Sequence, residues 1–217
     1  MEASTSERRF ASDHRDPTRG TDAAVSFVPT PVADPGPLGL AAFALTTFVL
    51  SMFNADLVGA GGKPVVLGLA LAYGGLAQLL AGMWEFRTGN TFGAVAFTSY
   101  GAFWLSFFAL DQFFAKDIPK ADSGAAIGLF LIAWGVFTTY MFVASLRTTA
   151  AIAVVFALLA VTFIVLGIGE ANGNADIVKI GGWTGLATAV AAWYASFAAV
   201  VNHTFGRVAL PVRPLAR

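Results

Sequence analysis

Cysteine is absent from this 217-residue chain, which removes disulfides, thiolate chemistry and Cys-ligated metals or clusters from consideration. The only histidines are His14 and His203, and there is no HExxH helix, Walker A loop, GxSxG elbow or GxGxxG turn. The residues imply no enzyme, no metal and no cofactor. Charge is scarce as well, at 12% of residues against about a quarter in a soluble domain. Its 13 basic and 13 acidic residues cancel, and no basic patch or stripe points to a nucleic-acid partner.

What fills the chain instead is apolar: 57% of residues are hydrophobic. Six windows, roughly 38 to 58, 64 to 84, 92 to 110, 124 to 145, 149 to 168 and 181 to 202, carry no interior Lys, Arg or Glu, and their only acidic residue, Asp56, lies near an end. Each is long enough to cross a hydrocarbon core of about 30 Å as a helix. The expected fold is an all-α, polytopic membrane protein, a bundle of six transmembrane helices. Residues 35–211 form this domain, between an N-terminal tail (1–34) and a short C-terminal tail (212–217). The tail's Ser, Thr, Asp, Arg and Pro suit disorder. Although Arg8-Arg9-Phe10 has the look of an export signal, no apolar region follows it.

Local signals punctuate the spans. Asp34-Pro35-Gly36-Pro37 suits a helix start, because proline lacks an N–H that would be unpaired there, and Asp34 complements the positive helix end. Glu85 to Asn90 reads as a short turn, and the connection around Arg147-Thr148-Thr149 as a shorter one. With the N-terminus inside, nine arginines (8, 9, 15, 19, 87, 147, 207, 213 and 217) fall on the inner side and four lysines (63, 116, 120 and 179) on the outer. That asymmetry predicts cytoplasmic termini.

Inside the spans, Gly61, Gly68, Gly75, Gly82 and Gly89 recur every seven residues, the pattern of a close helix contact seam. No span holds a central Asp, Glu, Lys, Arg or His, the groups that ion pumps and proton relays place there. The polar candidates are Gln78, whose amide must find a partner or water, Thr98 and Ser99 beside Tyr100, and Asn54. A path lined by hydroxyls, amides and aromatics favours a solute crossing uncharged. A short carboxylic acid qualifies, since with a pKa of roughly 4 to 4.5 it keeps a small neutral fraction at neutral pH. Moving the neutral acid equals moving the anion with one proton.

Three blocks resemble the acetate uptake transporter family, which includes the succinate-acetate permeases: Asp34-Pro35-Gly36-Pro37-Leu38-Gly39-Leu40, similar to the family's NPxPLGL; the run from Tyr73 to Ser106; and Phe205 to Pro211. The first block departs from the pattern by carrying Asp34 in place of Asn. The resemblance implies a plasma-membrane carrier of acetate and related small carboxylates, by proton symport or neutral-acid passage. It also implies a six-helix protomer assembling as a homohexamer in the lipid bilayer, with one pathway per protomer. It further implies that Phe43, Tyr100 and Leu159 form an apolar constriction, and that Asp34, Pro35, Pro37 and Gly39 belong to the motif at the pathway's approach. A gated channel for acetate anion, and a membrane sensor or scaffold without transport, are the alternative functions.

Overall fold

The structure, a computed structural model, describes residues 32–215, so the tail expected over residues 1–34 lies almost wholly outside the described residues. Among those residues, six helices are long and apolar enough to cross a membrane: α1 Gly36–Asn54, α2 Ala60–Thr88, α3 Thr91–Asp117, α4 Lys120–Ser145, α5 Ala150–Ala171 and α6 Ala175–Thr204.

Their starts follow elementary capping chemistry. Pro37 lies in the first turn of α1 and Pro35 just ahead of it, and the Gly36 N–H donates to Asp34 Oδ1 at 2.8 Å. Asn90 caps α3 by accepting from the Gly93 N–H at 3.1 Å, and Thr149 caps α5 by accepting from the Ile152 N–H at 3.3 Å. Asn174 caps α6 through the N–H groups of Asp176 and Ile177. At the C-terminus of α2, Gly89 adopts φ 79°, the left-handed conformation that glycine tolerates best.

Helix α2 runs through Thr88, so Glu85 lies in helix and the turn to α3 is only Gly89 and Asn90. This corrects the expectation of a turn from Glu85 to Asn90. It also reverses the expected order of lengths, since α4 and α5 are joined by the longer segment from Leu146 to Thr149.

The seven-residue glycine pattern does not make one seam. A turn of π-helix, Ala72–Ala77, interrupts α2. Each extra residue in such a turn rotates the following helix by about 100° relative to the preceding part. Beyond that turn, Gly82 packs against Thr98 of α3, where a β-carbon would lie 2.9 Å from the Thr98 Cα; Gly75, within the turn, meets Leu105. Before it, Gly61 and Gly68 have nothing within 4 Å, and Gly89 serves as the cap.

Small residues do set the remaining approaches, as expected where lipid offers no hydrophobic drive between helices. Gly101 of α3 sits on the Leu79 backbone of α2, Gly182 of α6 on Asn54 and Ala55 at the end of α1, and Gly128 of α4 on Gly167 and Ala171 of α5. The result is a bundle in which α6 packs against α1 and α5, α2 against α3, and α4 against α5.

After α6 the chain folds back. Asn202 donates to the Leu210 carbonyl and accepts from the Ala209 and Leu210 N–H groups; Tyr194 donates to the Pro211 carbonyl. The Ala150 N–H donates to the Arg213 carbonyl at 2.8 Å, and the Leu215 N–H to the Thr148 carbonyl at 2.9 Å. Residues 209–211 are thereby held to α6 and residues 212–215 to the start of α5.

Candidate functional site

One face of α1 walls two cavities. Reading along it, Gly36, Pro37 and Leu40 line the first, and Phe43, Thr47, Leu50, Ser51 and Asn54 line the second, a three-to-four-residue rhythm that keeps them on one side. Helices α3 and α5 repeat the arrangement: Phe92, Gly93 and Phe97, with Ala151 and Ile152, face the first cavity; Phe103, Trp104 and Phe107, with Leu159, Thr162 and Phe163, face the second. The cavities are about 320 Å³ at the Asp34 end and about 160 Å³ at the Asn54 end.

Between these vestibules stands a run of aromatic rings. Phe92 meets Phe156 at 5.1 Å between centroids, Phe156 meets Tyr100 at 6.0 Å, and Tyr100 meets Phe43 at 5.8 Å. Phe43, Tyr100 and Leu159 all belong to this buried cluster, each no more than 4% exposed. The structure therefore brings together the three residues of the expected constriction, two of them on the wall of the Asn54 vestibule and Tyr100 behind it.

The Tyr100 hydroxyl lies 2.9 Å from Thr138 Oγ1, whose own O–H donates to the Trp134 carbonyl at 2.7 Å; the phenol is therefore the donor to Thr138. Removing one partner of a buried pair leaves the other unsatisfied. Thr138→Val is expected to cost about 1–3 kcal/mol by that argument, and Tyr100→Phe added to it should recover much of the loss, as read by thermal melting in detergent.

The other expected residues separate. Asn54 lines the vestibule that bears its name. Thr98 sits in the α2–α3 seam against Gly82, and Gln78 is 1% exposed; neither they nor Ser99 line either vestibule. Of the motif, Asp34 and Pro37 line the Asp34 vestibule, Pro35 precedes the first turn of α1, and the Pro37 carbonyl accepts from Ser196 Oγ of α6 at 2.7 Å. Gly39 makes room for the Phe97 ring, which would lie 2.6 Å from a β-carbon there.

Sequence reasoning missed Thr47, Ser51 and Trp104. Thr47 Oγ1 and Trp104 Nε1 are buried polar atoms with no partner among the described residues, and both residues line the Asn54 vestibule. The signal available for the first two was their spacing of four and eight from Phe43 on one helix. Thr162 adds a hydroxyl backed by Thr184 and Thr188, with Oγ1 atoms 3.1 and 3.2 Å away.

The spans' lack of ionisable groups holds only for their centres. Helices longer than the apolar windows carry Glu85 to the Asp34 vestibule, and Asp111 and Glu170, with nearby Lys63, to the Asn54 vestibule. The two ends also differ in their backbone dipoles. Helices α1, α3 and α5 all begin at the Asp34 vestibule, so three positive helix ends converge there.

Comparison with known proteins gives consistent matches. A sequence profile described as the GPR1/FUN34/yaaH family matches residues 21–217. The succinate-acetate/proton symporter SatP of Escherichia coli (strain K12) is 40% identical over 183 residues, covering 84% of this chain and 96% of its own. Acetate permease A of Emericella nidulans is 42% identical over 195 residues, covering 83% of this chain and 65% of its own length. A solved structure titled as that of the bacterial acetate channel SatP superposes with a TM-score of 0.78 at 40% identity, over 84% of this chain and 99% of the other.

Proposed function

The chain belongs to the GPR1/FUN34/yaaH family, and on that footing we propose that it carries acetate and related short carboxylates across the cell membrane. It is a transport protein rather than an enzyme. The observation that carries this reading is the pair of vestibules on one face of α1, α3 and α5, separated by rings and aliphatic side chains with no Asp, Glu, Lys, Arg or His between them among the described residues. Apolar groups at a narrow point oppose hydrated ions, while a neutral acid sheds water at far lower cost.

Phe43, Tyr100 and Leu159 are the constriction in this reading. Trp104 Nε1, Thr47, Ser51 and Asn54 offer a carboxyl group hydrogen bonds on its way there, and the first two have unused bonding capacity. The Asp34 vestibule faces the cytoplasm, together with both termini. Arg87, Arg147, Arg207 and Arg213 cluster at that end of the bundle and Lys63, Lys116, Lys120 and Lys179 at the other, the asymmetry favoured for inward-facing segments. Six copies assemble as a homohexamer, each with its own pathway, by the family resemblance. Helix α4 buries 22% of its apolar window against 39–44% for the other five, which leaves a wide face for lipid or a neighbouring copy.

Uptake of labelled acetate into proteoliposomes, with and without a pH gradient, tests the reading; no protein-dependent uptake under either condition would sink it. The relatives' titles divide between symporter and channel. Electrical recording separates these: electroneutral flux is expected for acid passage, and a sustained acetate current would identify an anion channel.

A further inference from the structure

We infer that Glu85 holds the proton that accompanies each substrate carboxylate through the Asp34 vestibule, a role that rests on the transport reading above. Glu85 is 2% exposed and lines this vestibule. Its Oε2 accepts from the Thr88 hydroxyl at 3.0 Å, whereas Oε1 is buried with no partner among the described residues. An ionised carboxylate can only accept hydrogen bonds, and the donor at hand is the Asn90 side-chain amide, which borders the same space beside Gly93; a protonated carboxyl gains an O–H to donate. Nearly all buried polar atoms are paired, and this exception borders an empty volume the size of several small acids.

The surroundings are shaped for the carboxyl group. A β-carbon on Gly93 would lie 2.6 Å from Oε1, so only glycine leaves the space. A β-carbon on Gly36 would lie 3.0 Å from Asp34 Oδ1 and 3.5 Å from Glu85 Oε1, which brings the two carboxyl groups near one residue. Among the described residues, Asp34 is the only other ionisable side chain on these walls: α1, α3, α5 and α6 contribute none, and Arg87, Arg147, Arg207 and Arg213 are not among the lining residues. Two acids without a cation repel a third carboxylate unless a proton is shared, as close carboxylate pairs require.

The step is a single proton transfer. A neutral acid arriving from the constriction gives its O–H proton to ionised Glu85 Oε1. The substrate becomes a carboxylate, favoured by the three helix N-termini, and leaves. Glu85 then releases the proton to water at the mouth, and the reverse sequence loads an outgoing acid. One proton and one carboxylate cross together, and no bond other than O–H is made or broken.

The test is exchange of labelled acetate in proteoliposomes at equal pH on both sides, with the concentration of undissociated acetic acid held constant as pH varies. Any remaining pH dependence then belongs to the protein. The wild-type rate is expected to change by about fivefold or more between pH 5 and 8 and that of Glu85→Gln by less than about twofold, because the titrating group is gone. Glu85→Asp, which keeps a titratable carboxyl at this position, is expected to retain a pH-dependent rate. A Glu85→Gln profile that follows the wild type would overturn the inference while leaving acetate transport intact; absence of exchange in the wild type would instead sink the transport reading. Should Glu85→Gln fail to reconstitute, a wild-type exchange rate that does not change with pH overturns the inference by itself.

Discussion

Leu159→Ala and Phe43→Ala are expected to let larger dicarboxylates through, raising the ratio of succinate to acetate uptake by about tenfold, the scale on which apolar pockets discriminate by a few methylenes. Both side chains are buried and both line the Asn54 vestibule where it meets the aromatic run. Truncation removes packed volume beside the aromatic run, and the neighbouring rings relax only partly into it. The cost to stability, about 2–5 kcal/mol for such truncations, makes a melting curve the necessary companion measurement. Folded mutants with unchanged selectivity would remove these residues from the pathway.

Gly182→Val should be the most damaging single change to assembly of the protomer. A β-carbon at Gly182 meets not a side-chain tip but the backbone of Asn54 and Ala55, with the Ala55 Cα at 2.7 Å, so neither helix can yield locally. Overpacking of this kind costs about 3 kcal/mol or more, read as loss of monodisperse protein in detergent. Gly68→Ala is the contrasting control. Nothing lies within 4 Å of it, and replacing a helical glycine gains up to about 1 kcal/mol. If Gly68→Ala preserves protomer melting but abolishes the oligomer, a neighbouring copy packs there; equal damage from both substitutions would refute the packing argument.

The helices were legible because span length and charge exclusion are one-dimensional properties of the chain. So was Asp34 at the start of α1, since capping depends on adjacent residues. Phe43 and Tyr100 were legible only through blocks of family resemblance. Periodicity failed where geometry changes without a sequence mark: the π-turn at Ala72–Ala77 carries Gly68 away from the seam that Gly82 enters, and Gly61 lies in a 3-10 turn ahead of the α-helix. Thr98 looked suited to the path as a hydroxyl beside Tyr100, yet adjacent helical residues point about 100° apart, and its side chain turns to α2. Glu85 was hidden by its neighbours, because Arg87, Thr88, Gly89 and Asn90 gave the whole stretch the composition of a loop.

The fold-back after α6 bears on how this protein can be handled. Val212 and Asn202 belong to the wall of the Asp34 vestibule, and the segment that carries Val212 is pinned to Thr148 and Ala150 by backbone hydrogen bonds. An affinity tag or fluorescent fusion joined directly after Arg217 would therefore pull on the wall of the Asp34 vestibule.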